Sequence, residues 1–257
     1  MTGFISLLRK SIAGLDRYLG FLLISWLVVM AALPLLRRVF GEQVFLQGLA
    51  LVVLFQVLFI LQVLYRAWGW WSLLRMAVGV VLLVWIAAAI VIRSGLPFGS
   101  YQFTSLLQPQ VMGVPFLIPF MWLMMLPPAW AVAKLITRKV NGCLARPLFI
   151  ITSALAFTAW DLYLDPQMVL WGVWKWSPPG GYFGIPWMSL LGWLLVSGLI
   201  SVGISPKRLP GGLLVVVYAL TWLVEFISLV VFWGLPGPGL VGFLVMGGML
   251  LCAALIT

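Results

Sequence analysis

The sequence predicts an all-α, polytopic transmembrane helical bundle of about eight spans, with its N-terminus inside. Three observations predict it. The 257 residues are 64% hydrophobic and only 8% charged, a balance soluble globular domains do not approach. Uncharged stretches of about 17 to 23 residues recur along the chain, the length a helix needs to cross the hydrocarbon core. Basic residues crowd every second connection, as the positive-inside rule requires of a chain that weaves back and forth.

In chain order the spans are Leu19–Leu36, Val44–Tyr65, Met76–Ile92, Val111–Ala133, Pro147–Leu164, Trp187–Ile204, Leu213–Trp233 and Leu240–Ile256. With the N-terminus inside, eleven basic residues fall on the inner side, from Arg9 and Lys10 to Lys207 and Arg208. Only Arg37, Arg38, Arg93 and Lys175 fall outside. Losing any one span would scramble that pattern, so it supports the count as well as the orientation. Residues 1–18 form a basic, amphipathic segment suited to the inner membrane surface. No internal repeat or linker divides the rest, so residues 1–257 are expected to form one integral membrane domain in the cell membrane.

The net charge of +10 is spread over short loops, which fits anionic lipid headgroups and topology better than nucleic acid. Cys143 and Cys252 lie in a basic loop and a terminal apolar run, with no disulfide or metal spacing. The chain has no histidine. That removes histidine acid–base chemistry, histidine-ligated haem and most transition-metal sites.

The chain has five acidic residues, and two of them stand in "WDLYLDP" (160–166). Asp161 and Asp165 are four apart, so on a helix they share a face about 6 Å apart along the axis. A fifth helix entering at Pro147 puts Asp165 near the outer interface and Asp161 one turn deeper. Desolvation, the negative helix end and a like charge nearby all disfavour two carboxylates there, so the pair is expected to hold a proton. Asp165, before Pro166, also reads as an Asx-type turn that ends the helix. An acid inside a span, like Asp161, is costly and usually functional. Glu225, near the middle of the seventh span, reads first as a structural acid bonded to a neighbouring helix, through Gln56 or Gln62.

The same topology brings three unusual segments to the outer side: "SGLPFGSYQF" (94–103), "DLYLDP" and "KWSPPGGYFGIP" (175–186). Sequence-distant loops converging on one face are how sites are commonly built. Trp171, Trp174 and Trp176 crowd one loop beyond what interfacial anchoring needs, though each alone reads as a belt residue. Pro115, Pro119, Pro127 and Pro128 interrupt the fourth span, which suits a helix beside a cavity.

These segments carry a resemblance. "GLPFGSYQFT", "VPFLIPFMWLMM", "DLYLDPQMV", "GVWKWSPPGGYFGIP" and "LLGWLL" follow in order from Gly95 to Leu195 within residues 94–195. Together they resemble the membrane family of carotenoid biosynthesis proteins that includes carotenoid 1,2-hydratases. The family pattern often has a glutamate several residues before PFG, where this chain has "AAAIVI". It also often has asparagine three residues after the IP proline, where this chain has Ser189. The resemblance implies hydration of a terminal isoprene double bond of an acyclic or monocyclic carotenoid, a hydro-lyase reaction. Such chemistry needs a carboxylic acid to protonate carbon, a water to add, and aromatic faces to stabilise the cation; it needs no cofactor.

On that reading Asp161 is the acid and Asp165 tunes the pair and orients water. Trp171, Trp174, Trp176 and Tyr182 line the cation site, and Pro97, Phe98, Gly99 and Tyr101 shape the opposite wall, with Glu225 a further candidate for substrate binding. The implied partners are a carotenoid or other polyisoprenoid, membrane lipids and other carotenoid-pathway enzymes. Two alternatives stay open: a non-catalytic carotenoid or lipid binder or transporter, and a membrane prenyltransferase using "DLYLD" for magnesium and diphosphate. The second lacks another aspartate-rich motif.

Overall fold

The computed structural model describes residues 2–96, 98–204, 206 and 208–257. It contains nine α-helices among them: α1 (Thr2–Ala13), α2 (Arg17–Phe40), α3 (Glu42–Trp68), α4 (Trp70–Ser94), α5 (Leu117–Ile136), α6 (Ala145–Leu170), α7 (Trp187–Ile204), α8 (Gly211–Ile227) and α9 (Pro236–Ile256). All but α1 are long and apolar enough to cross a membrane, α8 together with a π-helical turn at Ser228–Phe232. The chain is a multi-pass membrane protein.

Local chemistry sets the helix ends. Asp16 caps α2, its carboxylate accepting from the Leu19 N–H at 2.9 Å. Gly41 and Gly69 take positive φ between α2, α3 and α4, reversing the chain over single residues. Gly95 ends α4 in the left-handed conformation, its N–H on the Val91 carbonyl. On the outer face of α2, Phe21, Ile24, Val28 and Leu35 are exposed. Such a stripe is suited to hydrocarbon rather than water.

α5 is the central helix, buried along almost its whole length and packed by α3, α4, α6, α8 and α9. Its proline pair is accommodated by a neighbour. Pro128 has no N–H for the Met124 carbonyl, and the Gln56 side chain from α3 donates to that carbonyl at 3.4 Å instead.

Two boundaries differ from the sequence expectation. The fourth span does not begin at Val111: β2 (Gln110–Val111) and β3 (Val114–Pro115) form a small hairpin, and α5 starts at Leu117. Met112 and Gly113, both at positive φ, make its turn. The fifth span does not end before Pro166 but runs on to Leu170 with the proline inside it. The carbonyl that Pro166 leaves free is Leu162, four residues back, and the Tyr182 hydroxyl donates to it at 2.9 Å.

The loop convergence expected from topology is present. β1 (Tyr101–Phe103) pairs antiparallel with β4 (Trp174–Trp176), Tyr101 opposite Trp176 and Phe103 opposite Trp174. The ladder extends through Ser177 N–H to Ser100 O at 3.0 Å and Thr104 N–H to Val173 O at 2.9 Å. The connections after α4 and after α6 therefore cover the same end of the bundle. Gly180 tightens the second of them: a Cβ there would stand 2.2 Å from the Pro186 backbone.

The orientation gives a first testable prediction. Lys139 follows α5 and Ser177 follows β4, at opposite ends of α6. A reporter fused after Lys139 is expected to report the inner side, and one inserted near Ser177 the outer side. Both on one side would contradict the weave that the charge pattern implies.

Candidate functional site

Under the β1–β4 ribbon lies a narrow slot of about 40 Å³ between α4, α5, α6 and α7. Its wall is mostly aromatic. Phe98, Tyr101, Phe103, Trp122, Trp174, Trp176 and Trp193 line it, and the one ionisable carboxyl among its lining residues is Asp165. Tyr101 and Trp176 meet across the ribbon at 4.8 Å, and Phe98 stands edge-on to Trp193 at 6.4 Å. Trp193 stacks on Trp122 at 4.7 Å and 17°, so the floor is a fixed pair of indoles.

Asp165 is buried, and its Oδ2 accepts from the Ser189 hydroxyl at 2.8 Å. Its backbone is mid-helix, so the Asx-turn reading does not hold; the side chain is spent on α7 rather than on its own turn. Asp161 is fully buried one turn below and lies outside the slot lining. Neither of its oxygens receives an N–H or O–H from any described residue. The neighbouring ionisable group is the Asp165 carboxyl, one turn along the same helix face. With the Ser189 hydroxyl as the pair's donor among the described residues, two buried carboxyl groups one helical turn apart are best satisfied by sharing a proton.

Tyr101 and Tyr182, in the loops, are both held as neutral phenols. Burial, and next the Asp165 charge, push the Tyr101 hydroxyl above its usual range. For Tyr182 burial leads, followed by Asp161 and Asp165. Tyr182 thus stays a donor, and it is used to hold its loop onto the Leu162 carbonyl.

The expected site residues divide accordingly. Phe98, Tyr101, Trp174, Trp176 and Asp165 come together on the slot. Gly99 closes it from behind, at positive φ and 3.8 to 3.9 Å from the Pro186 ring and Trp176 in terms of a would-be Cβ. Pro97 lies outside the described residues. Trp171 does not join Trp174 and Trp176: β4 begins beyond it, and its ring packs edge-on between Phe45 at 4.9 Å and Trp233 at 5.1 Å. Glu225 is also elsewhere, accepting from the Gln167 amide at 3.1 Å. Its partner is on α6, not Gln56 or Gln62, because the α5 carbonyl released by Pro128 occupies Gln56.

Trp193, Trp122, Ala87 and Ala88 line the slot without having been singled out from sequence. Trp193 and Ser189 are four apart on α7 and share a face, a spacing visible in "SLLGW". Trp122 sits in an unbroken apolar run with no periodic signal. Ala87 and Ala88 lie within the stretch that departs from the family pattern.

A family model described as carotenoid biosynthesis protein matches residues 48–249. A bisanhydrobacterioruberin hydratase from Haloarcula japonica is 32% identical over 113 residues, which cover 43% of this chain and 37% of that protein. The match therefore spans well under half of that relative's length. No solved structure matches the chain.

Proposed function

Because the chain belongs to the carotenoid biosynthesis protein family, we propose that it is a carotenoid hydratase, adding water across a terminal isoprene double bond in the aromatic slot. The observation that carries this reading is Asp165 on the slot wall with Asp161 buried one turn behind it on α6. A shared proton in an apolar, aromatic cavity is a general acid placed beside hydrocarbon.

The chemistry follows from the residues. Asp165 gives its proton to the less substituted alkene carbon, and the π-bond electrons form the new C–H bond. The positive charge falls on the dimethyl carbon, opposite the faces of Trp176, Tyr101 and Trp193, which stabilise a desolvated cation. Water adds its oxygen to that carbon and returns a proton to the carboxylate, restoring the acid. Ser189 fixes the carboxyl orientation, and Asp161 reloads Asp165 within the pair. Sequence reasoning assigned the donor to Asp161; the slot geometry favours Asp165, with Asp161 behind it. The polyene extends from the slot between helices towards the bilayer. The related hydratase supports the reaction class.

Co-expression with a pathway making an acyclic carotenoid tests the proposal, with pigments read by mass. The expected product is heavier by one water for each modified end. Carotenoid that co-purifies unchanged with folded protein would favour a binding or transport role. No transfer with magnesium and a prenyl diphosphate is expected.

A further inference from the structure

A second cavity, of about 20 Å³ and so with room for about one water molecule, lies on the other side of α5 and α6 from the aromatic slot. Met121 and Leu164 line both, and so form the partition between them. Both cavities carry unpartnered indole N–H groups, Trp174 and Trp176 in the slot, but the second is the richer in buried polar side chains. Glu225, Gln167, Gln56 and Thr221, all buried, line it. So do Trp26, Trp160 and Trp171, whose indole N–H groups have no hydrogen-bond partner among the described residues; the Thr221 hydroxyl has none either. Four buried donors on one cavity wall form a pattern that ordinary packing avoids, since buried polar groups are nearly always satisfied. At its outer end the cavity is closed by Trp171 against Phe45 and Trp233.

A polyene has no acceptor atom and would leave all four donors unmet. A bound water meets two of them at a time, since one molecule accepts from two donors and gives to the Glu225 carboxyl or an amide carbonyl. Resting on the hydration reading above, we propose that this cavity is the water store of the reaction. It holds the co-substrate away from the apolar slot and releases it past Met121 and Leu164 to the cation beside Asp165. Each turnover consumes one water.

Methionines report on this directly. Met30, Met124 and Met168 line the second cavity alone, whereas Met246 is fully buried and lines neither. Radiolytic footprinting of the full-length protein in lipid, in oxygen-18 water, is expected to label the three cavity methionines several-fold above Met246. Thr221→Leu, which fills the cavity and removes a hydroxyl, is expected to abolish that excess. It should also lower hydrated product several-fold at unchanged bound carotenoid; if it fails to fold, Thr221→Val takes its place. Labelling no higher than at Met246 would overturn the store. So would a Thr221 variant whose cavity is dry but whose hydration is undiminished. A wild-type protein that labels as expected yet hydrates no carotenoid would keep the water site, sink the hydration reading, and so overturn the feeding role.

Discussion

Asp165→Asn is expected to abolish hydration while leaving the protein folded and loaded with carotenoid. The amide keeps the size of the carboxyl and still accepts from the Ser189 hydroxyl through its oxygen, so the α6–α7 contact survives. It has no proton to deliver to carbon. General acid catalysis is commonly worth about 10²–10⁴-fold, or about 2.7 to 5.5 kcal/mol of barrier. A carbocation route places the loss at the upper end. Pigment mass at matched expression measures it, and near-normal product would remove Asp165 from the chemistry.

Asp161→Asn is expected to cost almost as much for a different reason. The Asp161 oxygens meet no donor other than the neighbouring carboxyl. An amide there donates an N–H to Asp165 and fixes it as a carboxylate, the form that cannot protonate an alkene. Activity should fall at least about a hundredfold. Thermal stability in detergent should fall modestly, because the variant leaves Asp165 a buried carboxylate in place of a proton-sharing pair. The double variant should be no worse than Asp165→Asn alone, since residues acting as a unit are not additive. Losses that multiply would mean two independent roles.

Much of the fold was legible because membrane helices announce themselves by length and by the absence of charge. α2, α3, α6 and α9 fall where the apolar runs put them, only longer. The start of α5 was missed because Val111–Phe116 is as apolar as a span, and only pairing decides that it is a hairpin. The end of α6 was missed because Pro166 is a helix breaker unless another group takes the freed carbonyl, and Tyr182 is sixteen residues further along the chain.

The site was legible in part for the same kind of reason. Helical spacing shows that Asp161 and Asp165 share a face, but not which of them meets a cavity. That depends on where Ser189 and Trp193 of α7 pack. Trp171 reads like Trp174 and Trp176 in sequence; the start of β4 separates them, turning Trp171 towards Phe45. Glu225 meets a neighbouring helix, but through Gln167 of α6 rather than Gln56 or Gln62, a choice that helical spacing does not reveal.

One measurement bears most directly on proton delivery from the carboxyl pair to carbon: the product formed in heavy water. The Asp161–Asp165 proton exchanges with solvent, so a hydration started by that pair writes deuterium onto carbon. After washing in ordinary water to restore the hydroxyl proton, each hydrated end is expected to keep one deuterium on the carbon beside the new alcohol. That label should vanish together with product in Asp165→Asn. A hydroxylated pigment without carbon-bound deuterium, or unaltered pigment from folded wild-type protein supplied with acyclic carotenoid, would contradict acid-started hydration in this slot.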